Sequence, residues 1–285
     1  MSTGLSPISP ISPVNPIVET YSRLAREYDE DANFLSCWGR ASERALSVIR
    51  LRDDYKVIVD MGCGTGRAVH ALACVAPADA RLIGIDPAEN MCTIAAQKTA
   101  ERQNVEIRQG AFEKSPLEAD SVDYLYSILA FHWVTDLAAS VAEIARVLKP
   151  NAEMDLFFIG RDNGREFIQK TSAIFLKYMG PALLLDSARL RKQITREAAY
   201  GLFSKAFEPS RLSVEESFTT YYDTLEGHWS WWVRVEGHFV KIPSEKKAQC
   251  DCDVRAALQS LAEPRGIPYT IHELHVKLRR PGLLH

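Results

Sequence analysis

The sequence of 285 residues lacks any run of 18 or more apolar residues, so it predicts no membrane-spanning helix. Residues 1–18 contain no lysine or arginine, and they therefore lack the basic region with which a secretory signal peptide begins. The six cysteines are too few and too scattered for a disulfide scaffold. Cys250-Asp251-Cys252 lacks the spacing and the second pair of a zinc site. We therefore expect free thiols, a cytoplasmic protein and no bound metal.

An excess of positive charge is also missing. The sequence has 34 lysines and arginines against 37 aspartates and glutamates, which gives a formal net charge of −3. Proteins that bind nucleic acid usually show a basic surface, so nucleic acid is not an expected partner. Hydrophobic residues make up 46% and charged residues 25%, as in ordinary globular proteins. The length fits one large domain or one domain with an insertion.

A strict period of three marks residues 1–17, where prolines recur beside aliphatic residues at Pro7, Pro10, Pro13 and Pro16. A polyproline II helix has three residues per turn, so this arm would carry a proline stripe and an aliphatic stripe. Two interpretations stay open. The arm is a disordered leader, as chain termini are by default, or it docks on a neighbouring subunit of a homo-oligomer.

Helical and strand patterns alternate over residues 18–160. Short apolar runs such as Val57–Val59 and Leu82–Ile85 are typical of strands buried on both faces of a parallel sheet. Between two such runs, Leu137, Val141 and Ile144 follow helical spacing. The alternation predicts a doubly wound α/β sheet, with a helix before the first strand.

The alternation stops after residue 160. Two helical patterns predict a helical lid insertion over residues 161–210. Residues 211–285 are predicted to complete a mostly parallel sheet of seven strands and to add further lid elements. Within them, His272 to Arg279 alternates polar and apolar residues, which predicts an antiparallel strand at the edge of the sheet.

A glycine-rich turn, Asp60-Met61-Gly62-Cys63-Gly64-Thr65-Gly66, lies where a strand ends and a helix begins. Such glycines let the backbone approach a ligand, and the helix start offers N–H groups. A dinucleotide site would have its third glycine at Arg67, and a phosphate-binding Gly-Lys-Ser/Thr is absent. Asp86, which ends the next strand, can bind a ribose diol. The turn therefore predicts a ligand with a ribose but without a diphosphate.

This turn resembles motif I of the class I S-adenosylmethionine-dependent methyltransferases. Asp86 matches the acid that binds the ribose in that family, and Glu143 to Pro150 matches the helix and turn before its fifth strand. Tyr21 to Asp29 resembles the N-terminal helix that caps the cofactor in the small-molecule branch. The similarity covers roughly residues 18–160 and the last two strands. It implies a Rossmann-like fold and S-adenosylmethionine as the cofactor, with S-adenosylhomocysteine as its product.

The resemblance also implies which residues bind the cofactor. Gly62 and Gly64 would hold its methionine end with Asp60 near the amino group, and Asp86 would bind the ribose. Met91 would pack on the adenine, although ordinary helix packing also explains it. Many family members have an acidic residue here that contacts the adenine amino group. This sequence has Ala111 at that position, so the Phe112 ring and backbone groups would recognise the adenine instead. The full predicted set is Tyr21, Tyr28, Asp60, Gly62, Cys63, Gly64, Asp86, Pro87, Met91, Ala111, Phe112 and Ser127.

The residues after the fourth strand, Ser127 to Trp133, hold no Asn-Pro-Pro motif of the kind that family members use on amines of bases or amides. His132 is the candidate base near the methyl group, since an imidazole can deprotonate a hydroxyl. Alternatively, His132 does not act as a base and only contributes to the shape of the pocket near the methyl group. Tyr21 is the second candidate catalytic residue.

The segment Tyr221 to Trp232 holds three of the five tryptophans and is expected in the substrate lid. The predicted substrate contacts are Phe131, His132, Tyr178, Tyr222, Trp229 and Trp232, although Trp229 and Trp232 could also be lid core. Aromatic faces stabilise cations. One natural-product enzyme of the family, in the teleocidin (prenylated indole) pathway, methylates an isoprenoid carbon. The hypothesis is therefore methylation of a small, largely apolar secondary metabolite, such as a terpenoid or an indole alkaloid, at the carbon of an isoprenoid double bond. A cyclisation can follow that step. The alternatives are oxygen or nitrogen methylation with His132 as base, and a non-catalytic protein that binds S-adenosylmethionine or NAD.

Overall fold

The computed structural model describes residues 15–28, 36–234 and 240–280. Most of the proline-periodic arm, residues 1–14, lies outside the described residues, and so does any docking of it on a neighbouring subunit. Helix α1, Pro16–Tyr28, begins at the last proline of the arm. The Asn15 side chain accepts a hydrogen bond from the Ile17 N–H at 2.9 Å. An asparagine cap followed by proline is a favourable helix start, because proline lacks an N–H that would need a partner there.

Seven strands form one sheet in the spatial order β3-β2-β1-β4-β5-β7-β6. The strands are β1 Val57–Met61, β2 Arg81–Asp86, β3 Val105–Gln109, β4 Val122–Ile128, β5 Leu148–Ile159, β6 Leu212–Asp223 and β7 Ile267–Leu278. The first five are parallel, whereas β7 runs antiparallel to both β5 and β6. This confirms the predicted mostly parallel sheet of seven strands with antiparallel strands at one side.

Helices cover both faces of the sheet. They are α2 Cys37–Val48, α3 Arg67–Ala73, α4 Glu89–Lys98, α5 Leu137–Val147, α6 Arg165–Arg189, α7 Arg196–Phe203, α8 Leu225–Arg234 and α9 Ser244–Gln259. In α6 the backbone is kinked at Gly180, where φ is 75°, just before Pro181. Within the described ranges, no helix is long and apolar enough to cross a membrane.

Neighbouring residues of the central strands pack into different cores, since side chains alternate between the two faces of a strand. Ile58 and Leu82 belong to the core on one face of the sheet, whereas Val59 and Ile83 belong to the core on the other. A further cluster joins α6, α8 and α9, and we call it the lid cluster. Its buried members are Phe175, Tyr178, Met179, Trp232, Cys250, Val254, Leu258 and Ile267.

The position of β7 differs from the prediction. It lies inside the sheet between β5 and β6, and β6 forms the edge. The polar residues of its alternating pattern do not form a face exposed to solvent. Glu273 is buried and pairs with Arg44 at 2.7 Å, and His275 lies 2.6 Å from the Asp155 carboxylate. Because these polar groups find charged partners, the strand can be buried on both faces.

The interior position of β7 gives the first prediction. Leu274 is fully buried, so Leu274→Ala should lower the free energy of unfolding by about 2–5 kcal/mol in urea denaturation. Phe218→Ala is the matched control on edge strand β6, where the side chain is 49% exposed. Phe218→Ala should lower the free energy of unfolding clearly less than Leu274→Ala does. Equal losses for the two variants would contradict the interior placement.

Candidate functional site

The glycine turn is held against the end of strand β2. The main-chain N–H groups of Gly62 and Cys63 both donate to the Ile85 carbonyl, at 2.7 and 3.0 Å. Gly62, Gly64 and Gly66 have φ values of 82°, 53° and 78°. Glycine adopts such angles without the steric cost that other residues meet. The turn thus needs glycine for its backbone shape.

Packing around the turn is tight at its ends and open in its middle. A Cβ atom on Gly62 would lie 2.3 Å from the Ala130 Cβ, and one on Gly66 would lie 2.8 Å from the Ala95 Cβ. At Gly64 a Cβ would meet no atom within 4 Å. The centre of the turn therefore faces open space, as expected of a loop whose backbone binds a ligand.

Asp86, the last residue of β2, holds this turn in place by hydrogen bonds. Its Oδ2 accepts the Gly64 N–H and its Oδ1 accepts the Ala88 N–H, each at 2.9 Å. Burial raises the pKa of Asp86 to about 6, and the two backbone hydrogen bonds oppose the rise. A carboxylate has about four lone-pair positions, so two remain for further donors. Asp86 can therefore hold the turn and accept ligand hydroxyls at the same time.

Asp60, at the end of β1, is only 3% exposed. Burial raises its pKa to about 8, and the charge of Asp86 adds to the rise while the Tyr126 hydroxyl opposes it. A positively charged ligand group beside Asp60 would favour the ionised carboxylate. The site can therefore hold an ammonium group at this end of the turn.

Two cavities meet at the glycine turn. The Asp86 cavity, of about 810 Å³, and the Asp60 cavity, of about 770 Å³, both border Tyr28, Gly62 and Gly64. The predicted cofactor residues that border the Asp86 cavity are Tyr21, Tyr28, Gly62, Gly64, Asp86, Pro87, Met91, Ala111 and Phe112. Asp60 and Cys63 border the Asp60 cavity. The fold thus brings these residues together around space large enough for a nucleoside ligand.

Ser127 departs from the prediction. Its side chain is fully buried in β4 and borders neither cavity, whereas the next residue, Ile128, borders both. Adjacent residues of a strand point to opposite faces, so only one of the two can face the ligand.

Helix α1 covers the Asp86 cavity. The Tyr21 ring lies 5.8 Å from the Tyr28 ring and 6.0 Å from the Trp133 ring, both edge to face. The Asn90 amide donates to the Ser22 carbonyl at 2.8 Å and ties α1 to the start of α4. Met91 packs against α1 and also borders the cavity, so the packing and ligand-facing interpretations both apply to it.

Several residues at these cavities were not predicted. Helix α2 supplies Trp38, Gly39, Ser42 and Glu43 to the wall of the Asp60 cavity. After β4, Leu129, Ala130 and Trp133 to Thr135 border the Asp86 cavity. Leu129 has a φ of 54°, rare for a residue with a side chain. None of these positions has a local sequence signal that we can identify, because each reaches the site only through the packing of its element.

His132 lies in a short turn, Phe131–Trp133, and is 4% exposed. Burial lowers its pKa to about 3, and the positive charge of Arg191 adds to the drop. Its carbonyl accepts the Lys192 N–H at 2.8 Å, which anchors the chain after α6. A group with so low a pKa is a weak base at neutral pH. The burial and the lowered pKa of His132 therefore favour the interpretation that it shapes the site.

Four predicted substrate residues do not border the cavities at the glycine turn. Phe131 is fully buried and packs on Phe112, Phe158 and Phe203. In the lid cluster, the Tyr178 hydroxyl donates a hydrogen bond to the Asp253 carboxylate at 2.7 Å. Trp229 packs against the same cluster, and the Arg255 guanidinium lies 5.4 Å from the centre of its ring. The Tyr222 hydroxyl accepts from Arg265. Phe131, Tyr178 and Trp229 thus pack in the protein's own cores, which for Trp229 is the alternative the sequence left open. Tyr222 instead is half-buried, with the Arg265 guanidinium over its ring.

Trp232 does border open space. It packs on Phe167 and Phe175 and lines a mostly apolar cavity of about 1090 Å³, which we call the lid cavity. A narrower space of about 410 Å³, the passage, borders His132. Arg191 and Gln193 border both the lid cavity and the passage, and Tyr21 and Tyr28 border both the passage and the Asp86 cavity. The Asp86 cavity, the passage and the lid cavity are therefore neighbours that share wall residues in that order.

Comparison with known proteins identifies relatives of this chain. A family model described as a methyltransferase domain matches residues 59–154. An uncharacterized methyltransferase-like protein of Schizosaccharomyces pombe is 30% identical over 214 residues, which cover 75% of each chain. A demethylmenaquinone methyltransferase of Staphylococcus aureus is 30% identical over 135 residues, 46% of this chain and 54% of the relative.

Solved structures share the fold. The YcgJ protein of Bacillus subtilis has a TM-score of 0.57 at 18% identity, and covers 86% of this chain and 100% of its own. A Haemonchus contortus phosphoethanolamine N-methyltransferase, in complex with S-adenosyl-L-methionine, has a TM-score of 0.54 at 15% identity, with coverage of 94% and 57%.

The raised pKa of Asp60 gives the second prediction. At pH 7 its carboxyl is protonated in the free protein, and a ligand ammonium would favour the ionised form, so S-adenosylhomocysteine binding should release a proton. Calorimetry in buffers of different ionisation enthalpy should show this release, and affinity should rise from pH 6 toward pH 8.

Asp60→Asn should abolish that proton release, whereas Asp79→Asn, at an exposed site, should keep it. Proton uptake by the wild-type protein, or release that persists in Asp60→Asn, would contradict the role of Asp60.

Proposed function

Since this chain belongs to the class I S-adenosylmethionine-dependent methyltransferases, we propose that it methylates a small, largely apolar molecule held in the lid cavity. One observation carries the proposal: the Asp86 cavity, the passage and the lid cavity follow one another, with shared walls at Tyr21, Tyr28 and Arg191. A cofactor at the glycine turn and an acceptor in the lid cavity would meet in the passage.

We assign the ends of the cofactor to the two cavities at the turn. Asp86 would accept the ribose hydroxyls, and Met91 and Phe112 would contact the adenine. The Asp60 cavity would hold the methionine end, with the carboxylate of Asp60 beside the ammonium. The bound cofactor supplies an activated methyl group on its sulfonium. The protein then has to position the acceptor in line with that methyl and exclude water.

The passage offers no strong base among the described residues that border it. The pKa of His132 is lowered to about 3, and burial raises the pKa of the Tyr21 phenol well above its usual range, so it stays protonated. We therefore propose an acceptor that needs no deprotonation, with the carbon of an isoprenoid double bond as the first choice. The double-bond electrons would form the new carbon–carbon bond while the sulfur–methyl bond breaks toward sulfur.

The carbocation left by that step would shift a hydride or close a ring and would finally lose a proton to water. A C–H group beside a carbocation is acidic enough that this last step needs no strong base. The rings of Tyr21, Tyr28, Trp38 and Trp133 border the passage and could face it. A terpenoid or indole-alkaloid metabolite fits this chemistry. Oxygen or nitrogen methylation with His132 as base is the competing mechanism, and its support is the position of His132 at the passage.

The third prediction tests the ribose contact. Asp86→Ala should weaken S-adenosylhomocysteine binding by about 1.5–3 kcal/mol, roughly 10- to 150-fold, because a charge-assisted hydrogen bond is lost. Calorimetry measures the affinity, and circular dichroism checks the fold. Asp79→Ala, an exposed aspartate, is the control and should leave the affinity unchanged. Unaltered affinity in a folded Asp86→Ala protein would overturn the assignment.

The fourth prediction separates the two mechanisms once an acceptor has been found by mass spectrometry of bound small molecules. His132→Gln should retain most of the wild-type kcat, and the product should carry its new methyl on carbon. Loss of nearly all activity, with a wild-type rate that rises through an imidazole pKa, would instead support the base mechanism. A product methylated on oxygen or nitrogen would exclude the alkene reaction.

A further inference from the structure

Strand β6 forms one edge of the sheet, and the proposed function does not use it. All 12 of its residues, Leu212–Asp223, pair with β7 in one continuous register. Within the part of the chain that the structure describes, no strand pairs with the other side of β6. Proteins usually keep such edges short, because unpaired N–H and C=O groups can bind a further strand. The free side of β6 is therefore long enough to be an interaction surface.

The backbone groups of every second residue of β6 point to this free side. In an antiparallel pair, residues that bond to the partner strand alternate with residues whose N–H and C=O groups point away from it. The Arg211 carbonyl, just before β6, accepts the Arg279 N–H at 2.9 Å and so belongs to the bonded set. The even-numbered residues of β6 therefore point away from β7. The Tyr222 carbonyl agrees with this, since it accepts a hydrogen bond from the Arg40 side chain of α2 at 3.0 Å.

The charges of β6 are distributed unevenly about its middle. Phe218 is 49% exposed in the single chain, and its ring centre lies 4.4 Å from that of His272. The two glutamates, Glu215 and Glu216, both precede Phe218. The four residues that follow it are two threonines and two tyrosines, which are uncharged and favour strands. A second β6 in the opposite direction would therefore bring its uncharged half to the acidic half of the first.

We propose that β6 pairs with β6 of a second copy of this chain, antiparallel and about a two-fold axis at Phe218, so that the two sheets join. In this register Phe218 lies opposite Phe218 of the second copy, and the main-chain groups of both face each other. Residues equally far from Phe218 on its two sides also lie opposite one another. Glu215 meets Tyr221 of the second copy, and Glu216 meets Thr220. No acid lies opposite an acid, and the aromatic pair at the axis adds a favourable cross-strand contact.

Glu215 also meets a positive charge on the second copy. Its side chain is 60% exposed and pairs with Lys277 within its own chain. Opposite it lies Tyr221 of the second copy, and the guanidinium carbon of Arg40 lies 4.9 Å from the centre of that tyrosine ring. The two-fold axis repeats this contact. Because the Tyr222 carbonyl has a second lone pair, the bond from Arg40 leaves it able to accept an N–H of the other strand.

Glu216 meets a second positive charge on the opposite face of the joined sheets, since adjacent residues of a strand point to opposite faces. Within its own chain it pairs with His272 at 2.8 Å. Tyr222 of the second copy lies diagonally across from it, and the guanidinium carbon of Arg265 lies 4.1 Å from the centre of that ring. Diagonal neighbours across a sheet are within reach of long side chains. Both faces of the proposed interface are therefore complementary in charge.

The first test measures the mass of the full chain in solution by light scattering over a range of concentrations. The wild-type chain should be a dimer. Phe218→Lys should give a folded monomer, because it places two ammonium groups opposite each other at the axis. Leu176→Lys is the matched control and should remain a dimer, since Leu176 lies on α6 and is 49% exposed, as Phe218 is. Circular dichroism checks that both variants are folded.

The second test exchanges the two charges that meet at Tyr221. Glu215→Arg and Arg40→Glu should each raise the dissociation constant of the dimer roughly 10-fold, since exposed ion pairs are individually weak and the two-fold axis doubles each change. The double variant should regain most of the wild-type affinity, because opposite charges again meet across the axis. A role of these residues within one chain alone would not produce this recovery.

The third test fixes the register by cross-linking, in a chain whose exposed cysteines are replaced by Cys74→Ser and Cys252→Ser. Opposite residues of a hydrogen-bonded pair have Cα atoms about 5.5 Å apart, which suits a disulfide. Phe218→Cys should therefore link two copies on mild oxidation. Thr220→Cys is the control, since Thr220 lies opposite Glu216 of the second copy and its two thiols would be too far apart to join.

Three results would overturn the inference: a wild-type chain that stays monomeric at all concentrations, a dimer that survives Phe218→Lys, or Thr220→Cys that cross-links as readily as Phe218→Cys. If the dimer survives Phe218→Lys but dissociates when residues 1–14 are removed, the arm joins the copies instead of β6. None of these results touches the proposed function, because its three cavities are lined by residues of one chain.

Discussion

The geometry of the site depends on how the ends of strands β1 and β2 are joined. The Ile85 carbonyl accepts two N–H groups of the glycine turn, and the Asp86 carboxylate accepts a third from Gly64. These bonds fold the turn over β2 and leave its centre facing the cavities. The carboxylate that braces the turn also has lone pairs left for ribose hydroxyls. One residue thus links the shape of the cradle to recognition of the ligand, so its loss should affect both.

Burial then decides what each polar group at the site can do. The same loss of water raises the pKa of Asp60 to about 8 and lowers that of His132 to about 3, because it disfavours the charged form of either group. Asp60 becomes responsive to a ligand cation, whereas His132 becomes a weak base. This contrast is the reason that we favour an acceptor needing no proton removal.

The acceptor side is assembled from elements distant in sequence. Helices α1 and α2 and the segment after α6 meet the turn after β4, and together they line the passage. In the proposed function these walls would help to keep water from the reacting groups.

The sequence alone predicted the fold class and the location of the glycine turn and Asp86, because strand and helix periodicity and glycine spacing are local properties of the chain. Of the twelve residues predicted to bind the cofactor, all but Ser127 border the two cavities at the turn, while helix α2 and the turn after β4 add residues that the sequence did not predict. The sequence misplaced β7 at the sheet edge, since buried partners for Glu273 and His275 come from other elements. Only the tertiary structure decided which aromatic side chains face open space and where Arg191 lies, because both depend on the packing of helices that are far apart along the chain.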